Sequence, residues 1–255
     1  MGVDNGGLNH YIMGVKTERA FLVPDLHCGD EDKRAVALAI QLCDAYKPDT
    51  IYFLGDILDS GWASTYPQNQ AEIAGQLERE LSIWQSLYPL FKASRRFVIP
   101  GNHDFRIVRW SWSQPALFNF KPLSLQSLIQ LPIIEAGYVR VAEGCFTLTH
   151  GAVIRKWSGQ SAKAEMERWG TGGASAHTHR AGVYFARDSC GVRAWAESGH
   201  LQRNPPRYAP IHEPGPLNWQ QAVGTLEIEG NSYHVEVHPF TLNYRAVLSD
   251  RKYKA

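Results

Sequence analysis

The 255 residues carry 26 Lys and Arg against 25 Asp and Glu, a formal charge of +1, with 44% hydrophobic and 20% charged residues. This balance excludes a disordered or fibrous chain and gives no global pull toward nucleic acid or anionic membranes, so any affinity for anions must be local. No apolar run approaches the roughly 18 residues of a membrane helix.

Residues 1–18, rich in Gly and Asn, read as a loose arm without the basic and apolar segments of a secretory signal. "RAFLVPD" (19–25) is a short buried strand, and Asp30 is placed to cap a helix over 31–46 whose stripe is Val36, Ala39, Ile40 and Cys43, stopped by Pro48. "TIYFLGD" (50–56) is a second strand, a helical stretch covers roughly 70–90, and "RRFVIPGN" (95–102) is a third strand. This alternation predicts a parallel sheet covered by helices. Past residue 138 the pattern changes to short strands, "YVRVAE", "CFTLTHG", "YFARD", "VRAWAES", "VGTLEIEG" and "SYHVEVH", and the turn signals between them suggest antiparallel pairing. One helix interrupts, "GQSAKAEMERWGTGG", with Ala162, Met166 and Trp169 on one face. Residues 19–242 then form one α/β domain, followed by a mildly basic, solvated tail over 243–255. Cys28, Cys43, Cys145 and Cys190 show no CxxC pair and read as reduced thiols of a cytoplasmic protein.

Polar groups collect where these strands end. "VPDLHCGD" supplies Asp25 and His27, "FLGDILDS" supplies Asp56 and Asp59, "IPGNHD" supplies Asn102, His103 and Asp104, "FTLTHG" supplies His150, and "SAHTHRAG" supplies His177 and His179. Ligands of open α/β sheets bind at the carboxyl ends of strands, so these turns should meet in one crevice. A mixed oxygen and nitrogen set without thiolate suits Mn²⁺, Fe or Zn²⁺ and is too large for one ion. Two ions sharing one carboxylate account for it, and such a pair clamps the attacking and leaving oxygens of a displacement at phosphorus. Two dications less two carboxylates and a hydroxide leave about +1, which still attracts a phosphate anion.

The blocks "DLH", "GDILD", "GNHD", "THG" and "AHTH", in this order, resemble the calcineurin-like metallophosphoesterases over roughly residues 20–180. "KWSGQSAKAEMERWG" and "NWQQA" resemble small phage and prophage members of that family. The resemblance implies a sandwich of two mixed β-sheets flanked by helices. It implies that Asp25, His27, Asp56 and His179 hold one metal and that Asp56, Asn102, His150 and His177 hold the second, with Asp56 as the bridge. His103 would protonate the leaving oxygen and Asp104 would orient it. The family's last block is usually GHTH; Ala176 stands for the glycine here, a small cost unless φ there is positive.

Other residues keep two readings. Asp59 is either a cap or a support behind the ligands, and His200 either faces the cleft or is a surface or satisfied histidine. His10, His212, His234 and His238 read as ordinary surface or structural residues. Arg106 and Arg109 with Trp110 and Trp112 form either a partly exposed helix or a cationic, aromatic rim. Arg106, Arg155 and Arg180 are the candidate phosphate contacts, with Lys156 beside them. The expected activity is hydrolysis of a phosphomonoester (of a small molecule, a nucleotide or a phosphoprotein) or of a small phosphodiester, by hydroxide held on two divalent ions, Mn²⁺ first. A nuclease acting on DNA or RNA and a non-catalytic metal-binding scaffold are the alternatives, and the first of these expects a broad basic groove.

Overall fold

The computed structural model describes residues 17–65, 73–114, 116, 120–189, 191–206 and 217–255. Most of the arm expected over 1–18, the start of the helix expected from 70, the histidines His10 and His212, and Cys190 lie outside the described residues. Glu18, placed in the arm by sequence, already belongs to the first strand.

Two five-stranded sheets face each other. The first has the order β10-β9-β1-β2-β3, from Ser232–Pro239, Ala222–Glu229, Glu18–Val23, Thr50–Phe53 and Arg95–Val98. The second has the order β4-β5-β6-β8-β7, from Tyr138–Val141, Phe146–Thr149, Gly172–Ser175, Gly191–Ser198 and Ala181–Asp188. Alternation along β1 assigns the layers, as the period of two requires. Ala20 and Leu22 join Phe146, Leu148 and Ala174 between the sheets. Phe21 and Val23 join Leu38, Leu42 and Trp84 beneath the helices α1 (Lys33–Tyr46) and α2 (Gln76–Leu87). On the far side, Trp195 of β8 packs under Ala162 and Met166, the predicted face of the helix Gln160–Trp169. The fold is the α/β sandwich of two mixed sheets flanked by helices that the sequence implies.

Several local expectations are corrected. Helix α1 is capped by Asp32, whose side chain accepts from the Arg34 and Ala35 N–H groups, rather than by Asp30. The pairing past residue 138 is not simply antiparallel: β5, β6 and β8 run parallel, because the helix Gln160–Trp169 is a crossover between β5 and β6. Strand β6, "GGAS", escaped notice because glycine is a poor strand former. Its Gly173 is needed for a close approach, since a Cβ there would collide with the Trp195 ring and the Thr147 carbonyl. The tail is a hairpin, β11 (Arg245–Leu248) with β12 (Arg251–Lys254), burying Ala246 and Leu248 against α1. Alternation of buried and exposed positions in "RAVL" is the signal that its basic composition masked.

Helix α2 carries one ionisable group into the interior. Glu80 is fully buried and accepts hydrogen bonds from the Ser60 N–H (3.1 and 3.2 Å) and from Gln76 Nε2 (2.6 Å). Burial, reinforced by Asp59, pushes its pKa up to about 8. The folded value exceeds the unfolded one, so this group's contribution is fully present at low pH and is lost as pH rises toward 8. In chelator, wild type should therefore lose stability relative to Glu80→Gln between pH 5 and 8, on the order of 1–4 kcal/mol. Urea unfolding of both proteins across that range is the measurement; a pH-independent difference contradicts the assignment.

Candidate metal centre

Every predicted ligand lies just beyond the carboxyl end of a strand, and several are in strained backbone. His27, Asp56, His177 and His179 have φ of 45°, 48°, 66° and 56°, a region non-glycine residues enter only when their surroundings force it. The forcing bonds are present. The His27 N–H reaches the Asp56 carbonyl (2.9 Å), the His177 N–H reaches Asp25 Oδ2 (2.9 Å), and the Gln220 N–H reaches the His179 carbonyl (2.8 Å). The His103 N–H donates to Asp56 Oδ1 (2.8 Å). Gly101 admits this approach, because a Cβ there would overlap Asp56 and stand 2.8 Å from His150 Cε1. Ala176 has no positive φ and is buried without strain, so replacing the family glycine costs nothing visible.

The predicted ligands form two adjoining groups, Asp25 with His27 and His179, and Asp56 with His150 and His177, each with its ligating atoms within 4.8 Å, and a third such group joins His27 to Asp59 and His103. The tautomers follow from the partners. His150 Nδ1 donates to the Leu54 carbonyl (2.7 Å), so its bare Nε2 faces two acceptors, Asn102 Oδ1 at 3.1 Å and Asp56 Oδ2 at 3.4 Å. His27 Nδ1 lies 3.1 Å from Asp59 Oδ1, which turns Nε2 toward His179 Nε2 (3.3 Å) and Asp56 Oδ2 (3.8 Å). Asp25 Oδ1 is buried without a hydrogen-bond partner, 3.6 Å from His179 Nε2. Lone pairs crowded against lone pairs in a buried space require cations, and Asp56 Oδ2 touches both groups. The donor set fits two divalent ions, with Asn102 completing the second group.

Without metal, protons take that place. Burial opposes charge on every member, yet Asp56 stays well below the usual carboxylate range because His150, His103 and His27 surround it. Burial would lower the imidazoles as well, but Asp56 raises His150 to about 10, and Asp59 with Asp56 raises His27 to about 9. Burial keeps His177 and His179 below their ordinary value, which suits them to coordinate.

His103 stands outside both groups. Asp104, expected to orient it, does not touch its ring: Oδ1 accepts from the Ile57 and Leu58 N–H groups (3.1 and 3.3 Å) and Oδ2 from the Gly101 N–H (2.9 Å). As the first residue of α3 (Asp104–Trp112), it points back into the turns and fixes them. The partner of His103 is Asp59, whose carbonyl accepts from Nδ1 (2.7 Å) and whose carboxylate lies 3.4 Å away. Asp59 is thus the support behind both His27 and His103. Arg106 donates to the Asp59 carbonyl (3.0 Å) and to His103 Nε2 (3.0 Å), so it sits on the expected acid. In α3, Arg109 reaches the Asn102 carbonyl (3.4 Å), Trp110 packs on Trp62, and Trp112 is exposed.

A cavity of about 220 Å³ opens over Asp56, Asn102, His103, His177 and His179. Of the three candidate arginines only Arg180 lines it, and its Nε is buried without a partner. Arg155 does not line it; its guanidinium lies on the Ile154 carbonyl, because the turn after β5 carries it outward. Larger hollows of about 470 Å³ and 690 Å³ contain none of the clustered residues. His200 is neither a surface nor a satisfied histidine: it is buried, stacks on His179 with ring centroids 4.9 Å apart, and no ring nitrogen has a partner of ordinary geometry. His238 is satisfied as expected, by Thr225 and the Val247 carbonyl. Sequence reasoning missed Trp219 as a cleft wall, 4.4 Å from the His179 ring. The signal available was its place just before β9, which runs antiparallel to β1 and so starts at the cleft edge.

Two outcomes follow from this geometry. Asp56→Asn should lower bound metal from two ions toward one or none and abolish turnover, since a neutral amide cannot bridge two dications; elemental analysis and rate measurement check it. Because His27 and His150 hold protons in the metal-free chain at pH 7, metal binding should release about two protons per chain and weaken as pH falls. Titration calorimetry in buffers of different ionisation enthalpy measures that number, and release near zero contradicts the assignment.

The comparisons with known proteins agree with this architecture. The family model described as calcineurin-like phosphoesterase matches residues 19–171. The Gene 54 protein of Mycobacterium phage D29 is 23% identical over 250 residues, covering 88% of this chain and 94% of that protein. Among solved structures, Chaetomium thermophilum Vps29 superposes with a TM-score of 0.50 at 11% identity over 93% of this chain and 98% of that one. Vacuolar Protein Sorting 29 of Cryptosporidium parvum gives 0.47 at 15% identity, over 94% and 96% of the two chains.

Proposed function

This chain belongs to the calcineurin-like phosphoesterase family, and on that premise we propose that it hydrolyses a small phosphoester, a monoester or a compact diester, with two divalent ions held in the cleft. The observation that carries the reading is the Asp56 carboxylate, whose Oδ2 lies 3.4 Å from His150 of its own group and 3.8 Å from His27 of the adjoining one. Asp25, His27, Asp56 and His179 would hold one ion, and Asp56, Asn102, His150 and His177 the other; the donors suit Mn²⁺ first, with Fe or Zn²⁺ also compatible. When bound, such a pair supplies Lewis acidity at a phosphoryl oxygen and makes water nucleophilic near neutral pH.

The chain's own residues do the rest. Asp59 accepts from His103 Nδ1, which leaves Nε2 as the nitrogen to hold a proton for the departing oxygen. Arg180 lines the cavity, and its guanidinium would be a charge-assisted donor for a phosphate oxygen. A small substrate is favoured over nucleic acid because Arg106 is engaged with His103 and Arg155 lies off the cavity, so among the described residues these arginines do not form a line of free cations to track a polymer. A non-catalytic scaffold would have no use for an acid held by Asp59 beside complete ligand groups. The unpaired Cys28, Cys43 and Cys145 accord with the cytoplasm, where we place the protein.

Release assays with Mn²⁺ and with chelator, on a chromogenic monoester, a chromogenic diester and single-stranded DNA, test this reading, and metal-dependent turnover of the DNA alone would replace it with the nuclease. His103→Ala should retain both metals and lose about 10²–10⁴-fold in rate on alkyl esters but far less on nitrophenyl esters, whose leaving group needs no proton. Equal losses on both would place His103 among the ligands. Arg180→Ala should raise KM about tenfold or more with kcat little changed, while Arg155→Ala stays within about twofold.

A further inference from the structure

The reading above leaves the organic part of the substrate unassigned, and one wall of the cavity bears on it. Two residues of the lining are apolar: Ile154, more than half exposed, and Trp219, partly exposed. Trp157, also more than half exposed, belongs to the same turn as Ile154. An exposed tryptophan and isoleucine beside a cluster of buried charges are not what a site for bare phosphate or a polyol phosphate needs, since every group they displace from water is apolar.

Trp219 is also held in place before any substrate arrives. Asn218 Nδ2 donates to the Lys156 carbonyl (3.0 Å), Gln220 Oε1 accepts from Ser158 Oγ (3.0 Å) and the Ala181 N–H (3.2 Å), and Gln220 Nε2 reaches Asn218 Oδ1 (2.9 Å). With the Gln220 N–H on the His179 carbonyl, both neighbours of Trp219 are tied to the turn after β5 and to the ligand turn. The indole meets the rings of His179 and His200 edge to face, at centroid distances of 4.4 and 5.8 Å. A side chain fixed on both flanks loses little entropy on binding, which is the arrangement a recognition surface uses.

The volume limits what this wall recognises. At about 220 Å³ the cavity is below the usual range for drug-sized ligands, so what it encloses is about the size of a phosphoryl group and one ring. We infer that Trp219 is a specificity-determining residue that selects phosphoesters of a planar aromatic group, packing the ring while Arg180 takes the phosphate. The inference rests on the phosphoesterase reading and adds the substrate class to it. Planar rings gain over puckered ones of equal size because aromatic pairs have favourable offset and edge contacts beyond the area they bury.

The test uses two esters whose leaving groups have similar basicity, benzyl phosphate and cyclohexylmethyl phosphate, with Mn²⁺-loaded wild type, Trp219→Leu and Trp219→Phe. The readout is the ratio of kcat/KM for the two esters within each protein, which cancels any metal loss that a disturbed His179 would cause. Wild type should prefer benzyl by about tenfold, Trp219→Phe should keep part of that preference, and Trp219→Leu should fall to near unity. A wild-type ratio near unity, or the same ratio in all three proteins, overturns the inference and leaves the phosphoesterase reading standing. Hydrolysis of neither ester by wild type, with two metals bound, overturns both.

Discussion

The structure depends on one electrostatic problem: four imidazoles, two carboxylates and an amide carbonyl brought together at the floor of a cleft, most of them buried. Asp56 is its centre, with one oxygen between His27 and His150 and the other taking the His103 N–H. Such a group is stable only with positive charge inside it, either protons on two histidines or divalent ions. Four of its members also sit in left-handed backbone, at a cost on the order of 1–3 kcal/mol each. That sum is comparable with the whole stability of an ordinary domain, so the core must carry it.

How the core carries it is visible in the loops. Each turn around the cleft is tied down by a buried carboxylate that is not a candidate ligand. Asp104 holds Ile57, Leu58 and Gly101; Glu80 holds Ser60; Glu165 accepts from the Ala152 and Val153 N–H groups (2.6 and 2.8 Å); Glu197 accepts from Thr178 Oγ1 (2.8 Å) and the Gly159 N–H. All four acids lie on helices or strands packed in the hydrophobic layers, so rigidity passes from core to turn through an acid and the amides or hydroxyl it accepts from. This also explains why Asp104 and Glu80 have raised pKa values: burial, reinforced by Asp56 for the first and Asp59 for the second, outweighs the backbone or amide donors and the opposing pull of His150 and His27.

These supports mark the boundary of what the sequence makes legible. The convergence was readable because strand-end turns repeat one chemistry, and the structure brings Asp25, His27, Asp56, Asn102, His150, His177 and His179 together beyond the strand ends. The choice between Asp59 and Asp104 as partner of His103 was not readable, because it turns on direction: Asp104 opens a helix and faces back, whereas Asp59 ends a turn that crosses under both histidines. Arg155 was misjudged for a similar reason, since nearness to His150 in sequence says nothing of which way a turn leaves the strand. Strand β6 and the closing hairpin were hidden by glycine content and by charge, where packing overrides propensity.

The hydrogen bond between Arg106 and His103 carries a last consequence. Arg106 can only donate, so His103 Nε2 must be bare while the bond exists. An acid needs the opposite, a proton on that nitrogen. A proton on Nε2 and the Arg106 contact therefore exclude each other, while the second Arg106 bond, to the Asp59 carbonyl, does not depend on that proton. In the role proposed for His103 the Arg106 bond to Nε2 must give way, while the bond to the Asp59 carbonyl keeps the guanidinium in place. Asp59 makes the coupling directional, because its carbonyl fixes the proton on Nδ1 and leaves Nε2 as the only nitrogen able to change state.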